Sequence, residues 1–236
     1  MNIQFADLAR SAAACGEISP PELLALRQLG WSGGRITRHE AETLLALNRA
    51  LAQPNGAHAS GEWADFFVDA LCEFVLGDAE PLEACDECEA RWLIGAIDGG
   101  GQPVTMAEIE LLVRLIERAR AVPDSLRHYA LQQVEAAVLA GDGPTRVGGG
   151  EARCHITGAE CRLVRRILFA TGGDRAPAPS RPTMETLLGI ERATRPSNNS
   201  PEWRLVLFDA TESHLGRGLA EGETAERVLS EALAGS

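Results

Sequence analysis

Residues 37–45 are Thr-Arg-His-Glu-Ala-Glu-Thr-Leu-Leu, and residues 180–188 are Ser-Arg-Pro-Thr-Met-Glu-Thr-Leu-Leu. In the first stretch Thr37 stands three residues before Glu40, which is the spacing of a capping box. The hydroxyl can accept a hydrogen bond from the Glu40 amide, while the carboxylate reaches back to the Thr37 amide. The second stretch has Thr183 in place of the glutamate, and a proline in the first turn, where proline is tolerated. Each stretch therefore predicts the beginning of an α-helix.

The same capping signature occurs at four other places in the chain. Each consists of Ser, Thr or Asp followed three residues later by Glu. The pairs are Ser19–Glu22, Asp86–Glu89, Thr105–Glu108 and Thr157–Glu160. In three of them Ile18, Cys85 or Ile156 precedes the cap, where a hydrophobic staple places an apolar side chain. These signatures predict further helix beginnings.

The signatures divide the chain into three copies of one unit, in which helix, glycine loop, helix, loop and helix follow one another. The glycine loops contain residues 33–34, 99–101 and 172–173. The third helices are predicted at residues 62–76, 125–139 and 202–215. Units of this kind bury their apolar faces against one another. The predicted fold class is all-α, with three divergent helix-loop-helix-helix repeats packed into one or two helical bundles.

A stretch rich in glycine at residues 141–150 is the best linker candidate. We predict an N-terminal helical part at 1–140 with repeats one and two. A C-terminal helical part at 151–236 contains repeat three and a short tail helix at 223–233. Whether repeat three packs on the other two is left open.

Charge and composition limit the possible partners. The chain of 236 residues has a formal charge of −12, and all 22 basic residues are arginines. Non-specific nucleic-acid binding needs a basic surface, and anionic membrane surfaces repel an acidic protein, so we predict neither partner. No stretch has the length of a membrane span, and residues 1–17 lack a signal-peptide pattern. Six cysteines without a compact framework predict a cytoplasmic protein.

Two known kinds of helix-loop-helix protein resemble these units. The glycine turn followed by an apolar residue, Thr, two residues and Glu, at 36–40 and 104–108, resembles an EF-hand pair. Residues 92–119, with Ile97-Asp98-Gly99 and Glu108, are similar to the helical domain of TerB-like tellurite-resistance proteins, whose helices carry acidic residues. Both resemblances imply a site for a divalent metal ion.

Over about 200 residues the chain also resembles a group of alphaproteobacterial helical-repeat proteins. The likeness includes Leu-Val-Arg-Arg-Ile-Leu at 163–168 and the pair Glu202-Trp203. This resemblance implies a helical-repeat fold and no particular activity.

The glycine loops lack the ligands of a calcium site. An EF-hand loop needs oxygen ligands at positions 1, 3 and 5 when its glutamate is at position 12. The residues at these positions are Leu29, Trp31 and Gly33 in the first copy and Ile97, Gly99 and Gly101 in the second. The third loop contains only Asp174. We therefore predict that the loops turn the chain and bind no calcium.

The Cys85-x-x-Cys88 motif is the sharpest chemical signal. With Cys154, Cys161 or His155 it could form a closed tetrahedral zinc site, and CxxC is also a redox motif. However, Cys85 occupies the staple position and Cys161 an apolar position of its helix. The interpretation we prefer is that these thiols pack as small hydrophobic residues. We predict no metal and no cofactor.

No local motif predicts catalysis. The histidines are His39, His58, His128, His155 and His214, and none has the neighbours of a catalytic triad. The glycine runs lack the Gly-Lys-Ser/Thr ending of a phosphate-binding loop. We predict that the protein is not an enzyme, with a distributed active site as the alternative.

The predicted function is a non-enzymatic, cytoplasmic interaction or regulatory module that binds a protein or peptide. Trp63 and Trp203 begin matching third helices and are the candidate partner-binding residues. In the other interpretation each ring closes the core of its repeat. The alternative function is divalent-metal binding of the TerB-like or EF-hand-like kind, through acidic residues. Those residues are Glu40, Glu42, Glu108, Glu110 and Glu185. The oligomeric state is left open.

Overall fold

A computed structural model describes residues 3–52, 61–77, 84–99, 105–141, 143–146, 154–171, 173 and 176–220, the last four by backbone alone. This described part is all-helical, as predicted, with a single isolated bridge between Ala84 and Ala121. The helices are α1 (Ile3–Cys15), α2 (Pro20–Gly30), α3 (Arg38–Leu51), α4 (Gly61–Gly77), α5 (Glu87–Asp98), α6 (Met106–Arg118), α7 (Asp124–Ala140), α8 (Gly158–Phe169), α9 (Arg181–Thr194) and α10 (Glu202–Ala220), with a short 3₁₀ helix at Pro144–Arg146. None of the described helices is both long and apolar enough to cross a membrane.

Capping boxes begin five of these helices, as predicted. At α3, α6 and α8 the threonine hydroxyl accepts a hydrogen bond from the glutamate amide at 3.1–3.4 Å. The glutamate in turn accepts one from the threonine amide at 2.8–2.9 Å. Asp86 caps α5 by accepting from the Cys88 and Glu89 amides. At α2 the Ser19 amide and hydroxyl both donate to Glu22, and these bonds lower the pKa of that carboxyl.

The chain divides into two compact units, Met1–Leu126 and Arg127–Ser236. In the first unit α1 packs on α2 and α3, and α4 packs on α3 and α6. The core of this unit contains Trp63, Phe66 and Phe67 of α4, and the centroid of the Trp63 ring lies 5.8 Å from that of Phe66 and 6.0 Å from that of Phe67. In the second unit α10 packs on α8 and α9, around the buried Trp203.

Helices α4, α7 and α10 cover the three predicted third helices. The repeat organisation stays a prediction, as do the boundaries at residues 140 and 151. Part of the predicted linker, Pro144–Arg146, is ordered as a 3₁₀ helix, and the Arg146 side chain is buried against α8. The predicted tail helix at 223–233 lies outside the described residues.

Candidate functional site

The two cysteines of the CxxC motif occupy different environments. Cys85 is buried, whereas Cys88 is exposed, and all six cysteines are free thiols. Burial, together with the nearby carboxylates of Glu89 and Asp86, raises the pKa of Cys85 to about 12. Zinc binds the thiolate, so a metal ion at Cys85 would have to displace the proton of a buried thiol. Cys85 precedes the Asp86 cap of α5, as Ile18 and Ile156 precede the caps of α2 and α8.

We expect the exposed cysteines to react faster with an alkylating reagent than the buried cysteines. Burial also raises the pKa of Cys72 to about 12 and that of Cys161 to about 11. Iodoacetamide at mildly alkaline pH should therefore alkylate the exposed Cys15 and Cys88 and spare Cys72, Cys85 and Cys161, as read by peptide mass spectrometry. The same treatment in denaturant is the control, and it should label all of them. Rapid labelling of Cys85 in the folded protein would contradict this assignment.

The acidic residues of the metal-binding alternative do not converge. Glu40 and Glu108 are buried capping residues. The other three are at the surface and pair with an arginine four residues away along the helix. These pairs are Arg38–Glu42, Arg114–Glu110 and Arg181–Glu185. In the part of the chain that the structure describes, no group of three or more His, Cys, Asp or Glu side chains is arranged to hold a metal ion.

The candidate partner-binding tryptophans are both in the cores. Trp63 is 0% exposed and donates its Nε1–H to Asn48 Oδ1 at 3.1 Å. Trp203 is 1% exposed and donates to Glu191 Oε2 at 2.9 Å. Rings enclosed in this way present no surface to a partner, so a candidate interaction surface must be built from other residues.

A buried polar network joins four helices of the first unit around Arg49. The Arg49 guanidinium donates to the carbonyl oxygens of Ala96 and Ile97, at the end of α5. Its Nε lies 3.4 Å from Glu108 Oε1, at the beginning of α6. The neighbouring Asn48 donates to Thr105 Oγ1 at 2.8 Å while it accepts from the indole of Trp63. The sequence did not predict this network, because its members are far apart along the chain.

The second unit has a similar buried pair. Arg146 Nε lies 2.9 Å from Glu160 Oε1, with both side chains at most 2% exposed. Arg146 also donates to the His155 carbonyl, and Thr145 donates to the same carboxylate. These contacts make Glu160 both a helix cap and an ion-pair partner. They serve the fold and leave no surface for a ligand.

The surface feature that stands out lies in the first unit, where two tryptophans are half-buried on either side of α4. Trp31 donates its Nε1–H to Glu73 Oε1 at 2.7 Å, and Trp92 packs edge-on against Phe74 with ring centroids 5.1 Å apart. Trp92 also donates to Glu42 Oε1 at 3.5 Å. Both tryptophans thus contact α4, at the consecutive residues Glu73 and Phe74. We call these five residues, Trp31, Glu42, Glu73, Phe74 and Trp92, the tryptophan face.

The exposed side of α4 next to this face is acidic along its whole length. Its exposed side chains follow helical spacing and are Glu62, Asp65, Asp69 and Glu73. Asp69 is paired with Arg118 of α6 at 3.2 Å. Like charges three and four residues apart repel one another and destabilise a helix slightly. Four exposed carboxylates therefore lie along one side of α4, and Arg118 pairs with one of them.

One arginine lies against a ring of the tryptophan face. The guanidinium carbon of Arg38 is 5.3 Å from the centroid of the Trp92 ring. The guanidinium carbon of a second arginine, Arg27, lies 5.6 Å from the centroid of Phe66, a buried ring outside the face that is in edge contact with Trp31. Both distances fall within the range of cation–π attraction. Trp92 thus already accepts a cationic group of the protein itself.

The second unit also exposes apolar side chains. Leu205 and Phe208 are 60% and 63% exposed and lie three residues apart in α10, so they share a helix face. The opposite side of α10 is buried through Trp203, Val206 and Ala210. Helix α10 is therefore apolar on both sides, and its Leu205–Phe208 side is not covered by the described residues. No charge pattern or neighbouring segment in the described residues indicates what would cover it.

No family model, curated protein or solved structure matches this chain. The resemblances to TerB-like proteins, to EF-hand units and to the alphaproteobacterial group therefore stay predictions. Any functional assignment depends on the side chains described above.

Proposed function

We propose that this protein is a non-enzymatic interaction module whose tryptophan face binds a basic segment of a partner protein or peptide. The observation that supports this proposal is the pair of half-buried tryptophans beside the acidic side of α4. Trp63 and Trp203, the candidates from the sequence, have no part in the proposed surface, and Trp31 and Trp92 replace them.

The chemistry of the face matches that of protein interfaces. Tryptophan is enriched among the side chains that contribute most to binding, since its large ring becomes fully desolvated when a partner covers it. The indole rings of Trp31 and Trp92 are held in place by Glu73 and Glu42, so little side-chain freedom is lost on binding.

Charge supports a basic occupant. The protein has a formal charge of −12, and the exposed side of α4 is acidic. Such a field steers a cationic segment towards the face, and it repels the phosphate backbone of a nucleic acid. We propose the cytoplasm as the compartment, supported by six cysteines that are all free thiols.

The proposal is tested by charge reversal on the face. We expect immobilised wild-type protein to retain a partner from lysate, and the double variant Glu42→Arg/Glu73→Arg to lose it. The matched control is Glu185→Arg/Glu212→Arg, which makes the same change in net charge at two exposed positions of the second unit. It should keep the partner. Cross-linking should map the contact to a basic segment of that partner.

The proposal would be wrong if both double variants retained the same proteins as the wild type. It would also be wrong if the contact mapped to an acidic or purely apolar segment. Circular dichroism must show that the face variants keep the helical content of the wild type, because a loss of folding would mimic a loss of binding.

A further inference from the structure

The Arg38 guanidinium contacts both the Trp92 ring and the Glu42 carboxylate. The Arg38 guanidinium lies over the indole ring at 5.3 Å, and Arg38 Nε lies 3.2 Å from Glu42 Oε1. The same carboxylate accepts a hydrogen bond from Trp92 Nε1. One face of the ring and one carboxylate therefore hold a cation from two sides.

The Arg38 side chain is not locked in this site. Its side chain is 66% exposed and that of Glu42 is 49% exposed. Ion pairs with this exposure contribute little to stability, because water solvates both charges well. The arginine can consequently leave the ring at small cost, and the ring with its carboxylate then becomes available.

We infer that Arg38 is an internal stand-in for an arginine of the partner, and that the face recognises a guanidinium group by exchange at Trp92. This inference rests on the proposed function and specifies the partner's chemistry. The incoming guanidinium takes the place of Arg38 over the ring and binds Glu42. Arg38 moves into solvent, so it acts as a built-in competitor that lowers the affinity.

Arginine fits this site better than lysine. The planar guanidinium stacks on an indole ring and donates several hydrogen bonds in a fixed geometry, whereas the ammonium group is more strongly hydrated. A cation–π contact at an exposed site is worth about 0.5–1 kcal/mol, which corresponds to about two- to fivefold in affinity. Both the preference for arginine and the effect of removing Arg38 should have this size.

The test is calorimetric titration of the full chain with two synthetic amphipathic peptides. One peptide has arginines on its polar face, and the other has lysine at each of those positions. We expect the arginine peptide to bind more tightly by about two- to fivefold. Arg38→Ala should tighten its binding by a similar factor. The matched control is Arg181→Ala, which removes the arginine of an exposed pair with the same spacing in α9, and it should change nothing.

Two variants of the site complete the test. Trp92→Ala should weaken binding of the arginine peptide by at least about fivefold, as expected for an interface tryptophan. Because this ring also packs on Phe74, the variant could lose stability. Glu42→Gln therefore provides an independent readout, since it keeps the shape of an exposed side chain and removes its charge. It should weaken binding of the arginine peptide, because the incoming guanidinium loses the charge of its carboxylate partner.

The outcomes separate the two proposals. If both peptides bind equally, or if Arg38→Ala fails to tighten binding, then the inference about Arg38 is wrong and the proposed function stands. If neither peptide binds the wild type or Arg38→Ala, then the tryptophan face does not bind basic segments and both are overturned.

Discussion

Replacing Arg146 with methionine is expected to destabilise the second unit by about 3–5 kcal/mol. The variant leaves the Glu160 carboxylate in a site where it is 0% exposed, without the guanidinium that lies 2.9 Å away in the wild type. A buried ion pair adds little stability compared with apolar residues, but removal of one partner leaves an uncompensated charge. Urea unfolding followed by circular dichroism measures the loss, and hydrogen exchange of the α8 amides locates it.

Two control variants test whether the loss comes from the buried, unpaired charge of Glu160. Arg181→Met breaks the exposed pair with Glu185 and should cost less than about 1 kcal/mol. The double variant Arg146→Met/Glu160→Gln removes both charges and should recover part of the loss. A cost for Arg146→Met similar to that of Arg181→Met would show that water reaches Glu160 in solution.

Replacing Trp63 with alanine should cost about 3–5 kcal/mol and unfold much of the first unit. The ring is 0% exposed and lies against Phe66 and Phe67, so truncation leaves a large cavity between α4 and its neighbours. It also leaves the side-chain oxygen of Asn48 without its donor, and Asn48 is itself 1% exposed. Thermal unfolding followed at the helical circular dichroism signal gives the size of the effect.

The conservative variant Trp63→Phe isolates the hydrogen bond. It keeps an aromatic ring and removes the Nε1–H, so a buried acceptor loses its partner at a cost of about 1–3 kcal/mol in addition to the smaller volume. The matched control is Trp203→Phe. In the wild type Trp203 donates to Glu191, whose side chain is 23% exposed, so water can replace the lost indole donor and the cost should be smaller. Equal losses for the two variants would contradict the assigned role of Asn48.

The beginnings of the helices could be predicted from the sequence because a capping box is a local structure. The hydrogen bonds of Thr37 with Glu40, and those of Asp86 with Glu89, join residues three positions apart. Their geometry therefore depends on the backbone of one turn, whatever the rest of the chain does. The prediction of an all-helical class followed from these signatures.

The candidate site was predicted less well, for a physical reason. The predicted repeat puts Trp63 and Trp203 at matching positions, and the structure places both rings in a core. Trp31 and Trp92 have no such match, and nothing local distinguishes them. Their hydrogen bonds join residues 42 and 50 positions apart, respectively, so these contacts form only when the helices of the first unit pack together.

The amino-acid sequence by itself determined the helical class, the five capping boxes and the acidic charge, because each depends on composition or on neighbours within one helical turn. Only the tertiary structure decided which tryptophans are buried and which carbonyls Arg49 caps. It also decided that Arg146 is enclosed with Glu160 and that Arg38 meets the ring of Trp92. These are contacts between separate helices, and they depend on how packed apolar faces orient each helix, which no local pattern specifies.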